Sequence, residues 1–216
     1  FGSSLAIGDV TGDGAGDLVV GVSGENSVGM VHVFPGSARE LQIPRSTGVS
    51  GNGLGLQPSS LAELDPKDTG QGALFGWSLA LGEVTGDAVT DVVVGAPYAK
   101  VGNVEACGAT VVLAGGSAGI TARKSTVLTQ MSPQVVGGCE KGDFWGWSVA
   151  VGDLTGDQRA DVVVGAHGES VGQVPGAGGL TVLLGGASGV SGEGSFGVSQ
   201  NATNVAGTAE QGDGFG

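Results

Sequence analysis

Hydrophobic and polar positions follow the same succession three times along the chain. Each succession opens with alternation, as in Ser78-Leu79-Ala80-Leu81-Gly82 and Ser148-Val149-Ala150-Val151-Gly152, with bulky residues on one face and Ser, Ala and Gly on the other. This pattern predicts an innermost strand with crowded neighbours. A short acidic loop follows and reads as a tight hairpin. The next segment is apolar on both faces: DLVVGV at 17–22 and DVVVGA at 91–96 and 161–166. Such a run fits a strand sandwiched between adjacent sheets. A third strand is expected at 29–34, 108–113 and 178–184. A weaker outer strand is expected near 125–130 and 195–200, and in the first unit within 56–64, where the pattern gives it no sharp position.

The repetition carries more information than any single segment. Aligning FGSSLAIGDVTGD, FGWSLALGEVTGD and WGWSVAVGDLTGD puts Phe1, Phe75 and Trp145 in register, and Phe215-Gly216 repeats the opening pair. The units are therefore 1–74, 75–144 and 145–214, with 215–216 opening another. A unit of about this length suits one four-stranded propeller blade. Composition agrees: 46 glycines in 216 residues make long helices improbable, while 40% apolar residues argue against disorder. The chain has no apolar run of transmembrane length, no initiator Met and no signal-peptide pattern, so it reads as a mature product or a fragment.

Charge sharpens the picture. The net charge is −13, which makes nucleic acid and anionic membranes poor partners. Nine of the 21 acidic residues sit in three short loops, GDVTGDGAGD (8–17), GEVTGDAVTD (82–91) and GDLTGDQRAD (152–161). Carboxylates so crowded repel one another unless a cation or hydrogen-bond donors offset them. Turn aspartates that cap backbone amides are the simpler reading. A threefold recurrence favours hard divalent cations, which take oxygen ligands from short glycine-bearing loops.

These features resemble the FG-GAP repeat of integrin-α-like β-propellers, in a secreted, actinobacterial-like form. FG (WG in the third unit) opens each unit. GAP is intact at Gly95-Ala96-Pro97 and altered to Gly21-Val22-Ser23 and Gly165-Ala166-His167. The resemblance implies an all-β fold of three four-stranded antiparallel FG-GAP blades, either part of a larger propeller or a half-ring closed by oligomerisation. It also implies Ca2+ in each acidic loop. The ligands would be Asp9, Thr11, Asp13, Asp17 and the carbonyl of Ala15 in the first loop. In the second they would be Glu83, Thr85, Asp87, Asp91 and the carbonyl of Val89. In the third they would be Asp153, Thr155, Asp157, Asp161 and the carbonyl of Arg159. Thr at the third loop position and Glu83 at the first depart from the family pattern, as do Ala88 and Gln158 where Gly14 stands in the first loop.

The remaining chemistry is sparse. Cys107 and Cys139 form either a disulfide or two separate buried thiols. His32 reads as a sheet residue and His167 as a solvated turn residue. No GxSxG, HExxH or nucleotide-binding loop is present, so no catalytic residue is expected. Trp77 and Trp147 share one register position and read as packing between blades, with sugar stacking as the alternative. Asn201-Ala202-Thr203 is a glycosylation sequon. The resemblance implies an extracellular, non-catalytic recognition or adhesion module with a protein or glycan ligand on one propeller face and self-association open. An accessory domain of a secreted hydrolase and a lectin are the alternatives.

Overall fold

The computed structural model describes residues 1–59 and 72–216. Among the described residues, three four-stranded antiparallel sheets form the body of the structure, each built from strands in sequence order, with two short two-stranded ribbons beside them. The first holds Ser4–Gly8, Asp17–Val22, Met30–Phe34 and Thr47–Ser50. The second holds Ser78–Gly82, Asp91–Ala96, Ala109–Leu113 and Ser125–Leu128. The third holds Trp145–Gly152, Asp161–Ala166, Gly179–Leu183 and Phe196–Val198. This is the all-β blade architecture that the repeat predicts.

The outer strand of the first sheet corrects the expected 56–64 window. It is Thr47–Ser50, pairing with Met30–Val33. Its sequence TGVS buries only Val49, so no hydrophobic alternation betrays it, and Gly48 lies tightly under the Met30 methyl and His32 ring. Within the expected window, Gln57–Pro58 instead forms a two-stranded ribbon with Ala99–Lys100 of the second unit. Residues 60–64 lie outside the described residues.

Why the second strand must be apolar on both faces follows from the cores. One core lies between the first two sheets and takes Val19, Val31 and Val33 from one side and Val92, Val94 and Val111 from the other. Another lies between the second and third sheets, where Val93 and Val112 meet Val162, Val164 and Leu183. Successive side chains of DVVVGA therefore point into two different cores, as strand geometry demands. The inner strands contribute Leu79 and Leu81 to the first core and Val149 and Val151 to the second. Their counterparts Leu5 and Ile7 meet no other sheet among the described residues and are 64% and 76% exposed. His32 sits in its strand on this open side, its ring beside those of Phe1 and Phe34.

The same contacts explain the opening FG pair. The pairs at 75–76 and 145–146 latch the preceding sheet to their own, and 215–216 docks on the third sheet in the same way. Phe75 N–H donates to the Val28 carbonyl, Trp145 to Cys107 and Phe215 to Ala177, at 2.8, 3.0 and 2.9 Å. The carbonyls of Gly76, Gly146 and Gly216 accept from the hydroxyls of Ser4, Ser78 and Ser148. They press so close to the first glycine of the GAP position that a Cβ on Gly21 or Gly95 would meet them at 2.1 and 2.0 Å. Only glycine fits there. Phe75 and Trp145 are fully buried at these seams, and the Trp145 indole donates to Thr181 Oγ1.

Cys107 and Cys139 form a disulfide with Cα atoms 5.4 Å apart. It ties the second sheet to the connection that leads into the third. No helix among the described residues is long and apolar enough to cross a membrane.

Candidate metal-binding loops

Each acidic loop joins the inner strand of a sheet to its second strand, so all three project from the same end of the blades. Backbone conformation repeats among them. Gly12, Gly86 and Gly156 have φ of 70°, 85° and 76°. Two positions later Gly14, Ala88 and Gln158 all turn left-handed, with φ of 87°, 65° and 68°. Ala88 and Gln158 thus keep the turn that glycine makes without strain, and the loop shape survives their substitution.

Three carboxylates per loop divide into two roles. The last aspartate of each loop is buried and spends both oxygens on backbone amides. Asp17 Oδ2 accepts from Val10 and Thr11 N–H, each at 2.9 Å, and Oδ1 from Gly36 at 2.8 Å. Asp91 repeats this with Val84, Thr85 and Gly115, and Asp161 with Leu154 and Gly185. These carboxylates fasten the hairpin to the chain leaving the third strand. The glycines they hold are obligatory, since a Cβ on Gly36 or Gly115 would lie 2.0 and 2.2 Å from a backbone carbonyl. Burial raises the pKa of Asp91, and the amides of Val84 and Gly115 oppose that rise.

The first acidic residue of each loop wraps the turn. Asp9 accepts from Asp13 and Gly14 N–H at 3.0 and 2.8 Å, Glu83 from Thr85, Gly86 and Asp87, and Asp153 from Gly156, Asp157 and Gln158. The Gly14 amide is the main force holding the Asp9 carboxyl below its ordinary range. The middle aspartates, Asp13, Asp87 and Asp157, are exposed and each accept from the amide two residues on, in Ala15, Val89 and Arg159. Asp157 also pairs with Arg159 at 3.4 Å. Thr11 Oγ1 lies 3.5 Å from Asp9 Oδ1, Thr85 Oγ1 is buried with no partner, and Thr155 is exposed.

The donor set suits a hard cation: every candidate ligand is an oxygen. In no loop, however, do all three carboxylates gather within 4.8 Å. Among the described residues the group that does so is Glu140, Asp143 and Glu169. It lies at the opposite end of the blades, where the second-to-third-strand loops meet the connections between sheets. Burial is the chief reason that the Asp143 carboxyl is pushed up to about 7, and Glu169 is raised mainly by the same cause. A carboxyl that keeps its proton to about 7 when folded and to 3.8 otherwise makes the fold lose stability as pH climbs between those values.

Sequence reasoning missed this group because its members lie up to 29 residues apart in different segments. One signal was available: Glu140-Lys141-Gly142-Asp143 recurs as Glu210-Gln211-Gly212-Asp213. The aromatic side chains cluster at the same end. Trp77 and Trp147 are half-buried with ring centroids 4.9 Å apart, and His167 stacks on Trp147 at 4.8 Å rather than standing in solvent.

Comparison with known proteins agrees with the fold. The FG-GAP repeat model matches residues 1–34, 75–112 and 145–183, together just over half of the chain. Human phosphatidylinositol-glycan-specific phospholipase D is 30% identical over 175 residues, which are 77% of this chain and 18% of that protein. Mouse integrin alpha-IIb is 30% identical over 172 residues, 79% of this chain and 15% of the integrin. Drosophila melanogaster integrin alpha-PS2 is 29% identical over 178 residues, 77% and 11% respectively. The chain thus spans less than a fifth of these relatives' length. With its three latched blades and this match, the chain belongs to the FG-GAP repeat family.

Proposed function

We propose that this chain is an extracellular, calcium-stabilised recognition or adhesion module without catalytic residues of its own. The observation that carries the calcium assignment is the threefold loop of oxygen donors with one repeated backbone shape. Asp9, Glu83 and Asp153 with Asp13, Asp87 and Asp157 would bind the ion. The carbonyls of Ala15, Val89 and Arg159 and the threonine oxygens would complete each site. Asp17, Asp91 and Asp161 would add ligands only with lone pairs their amide bonds leave free. Extracellular modules of this kind bind in the ~10⁻⁴–10⁻³ M range. The disulfide supports an oxidising compartment. Ca2+ titration by calorimetry tests the assignment directly. Millimolar binding that loses three ions per chain in the Asp13→Asn/Asp87→Asn/Asp157→Asn variant is expected; an unchanged stoichiometry would refute it.

A second reading makes the chain the accessory propeller of a larger secreted hydrolase. Similarity to phosphatidylinositol-glycan-specific phospholipase D favours it. Adhesion assays on immobilised proteins and glycans, set beside lipase assays of the full-length product, separate the two. Hydrolysis by the full-length product would support the accessory role.

A further inference from the structure

The acidic group between the second and third sheets is assembled from two segments. Glu140 and Asp143 lie in the connection 139–144, which is held by the Cys107–Cys139 disulfide and by Gly142 and Phe144 N–H donating to the carbonyls of Glu105 and Ala106. Glu169 follows the strand Asp161–Ala166, and Gly168 N–H donates to the Asp143 carbonyl across the seam. Asp143 is 2% exposed, and its Oδ2 accepts from Glu140 N–H. Among the described residues no lysine or arginine forms an ion pair with any of the three. Like charges this close in a partly buried seam call for a compensating positive charge.

A second observation points the same way. Gln130 reaches the group from the end of the second sheet, donating Nε2 to Glu169 Oε2 at 2.8 Å. It is 6% exposed, and its Oε1 has no partner. A buried amide carbonyl without a donor is unfavourable, and the amide can present either end by rotation. Gln130 now turns its Nε2 to the group; rotation of the amide would bring the orphaned carbonyl to the carboxylates, where a cation would satisfy all four. A cavity of about 360 Å³, lined by Gln130, Glu169, Ser170 and Ser199 among others, adjoins the group and gives an ion access and room for waters.

We propose that Glu140, Asp143, Glu169 and the Gln130 carbonyl form a Ca2+ site that clamps the third sheet to the second. All four donors are oxygens, and bidentate carboxylates with added water reach the six to eight that Ca2+ takes. Zn2+ would seek nitrogen or sulfur, which the group lacks. Part of the arrangement recurs in the third unit: Glu210 N–H donates to Asp213 Oδ2, and Gln200 Oε1 is again buried without a partner.

Counting bound Ca2+ by native mass spectrometry tests the site. The Glu140→Gln/Glu169→Gln variant should bind one ion fewer than the wild type, whereas Asp153→Asn/Asp157→Asn should lose a different ion and keep this one. Gln130→Met, which keeps every charge, should weaken the seam site about tenfold. Equal counts in the wild type and the seam variant would overturn the proposal, even if the acidic loops bind calcium. Loops that bind nothing beside a seam that binds one ion would sustain it alone. Because Glu140 is exposed, Glu140→Gln alone gives a folded control that should weaken the same site.

Discussion

The two seams between sheets use one latch and differ in nearly everything around it. At the first, Ala73 and Ala99 are fully buried in the apolar core. At the second, the same register positions are Asp143 and Glu169. The first seam also neutralises its buried-edge carboxylate: Lys100 Nζ lies 2.6 Å from Glu105 Oε1, and the Ser59 hydroxyl donates to Oε2. The second concentrates three carboxylates and carries the disulfide. At an apolar seam, burial reinforces the latch without further charge compensation. An acidic seam needs a staple and a counter-charge, because uncompensated carboxylates weaken what the latch joins.

The largest effects come from breaking what the seams share. Phe75→Ala and Trp145→Ala should each cost about 3–5 kcal/mol, as for large aromatic truncations in a core. Trp145→Ala should sit at the upper end, since Thr181 Oγ1 also loses its indole donor. Urea unfolding of both variants measures the difference. If Trp145→Ala proved the milder, the second seam would rest on its staple more than on its latch.

Removing that staple separates the seams. The disulfide closes a sequence separation of 32 residues, for which chain entropy gives about 3–4 kcal/mol. Cys107→Ser/Cys139→Ser should therefore lower stability by nearly as much as losing the aromatic. Proteolysis of the double variant should open the connection 139–144 first while the first seam stays protected. Uniform cleavage across both seams would show that the bridge constrains the whole chain.

How much of this was legible in the sequence divides along the same line. The second strands could be read because no polar residue interrupts these apolar runs, of which DVVVGA at 91–96 faces two cores. Thr47–Ser50 could not, because an outer strand that buries only Val49 carries no pattern. The loops announced themselves by local charge density, yet the buried role of Asp17, Asp91 and Asp161 depends on Gly36, Gly115 and Gly185 arriving from another strand. The acidic seam was hidden for a stronger reason. Gln130, Asp143 and Glu169 meet only when two sheets dock, and residue spacing within a unit says nothing about which side chains face across a seam.

A smaller effect is expected from the loops. At a calcium concentration ten times Kd, one site adds about 1.4 kcal/mol. Asp87→Asn or Asp157→Asn should therefore lower Tm in calcium by about 3–6 °C for a chain of this size and leave it unchanged in EDTA. Scanning calorimetry in both buffers checks this. Equal losses in calcium and EDTA would mean that these aspartates only cap their turns.

The smallest effect is also the most discriminating, because its sign should reverse with conditions. In EDTA, Glu169→Gln removes one of three crowded charges while its amide oxygen can still accept from Gln130 Nε2. Relief of that repulsion should raise stability by about 1 kcal/mol at pH 7.5. In calcium the same change should lower it, because a ligand is lost with the charge. The matching change at the first seam, Ala99→Gln, offers no such reversal: it forces a long polar side chain into the apolar core and should destabilise in both buffers. Glu169→Gln that stabilises equally with and without calcium would leave the second seam as a cluster of carboxylates that the fold merely tolerates.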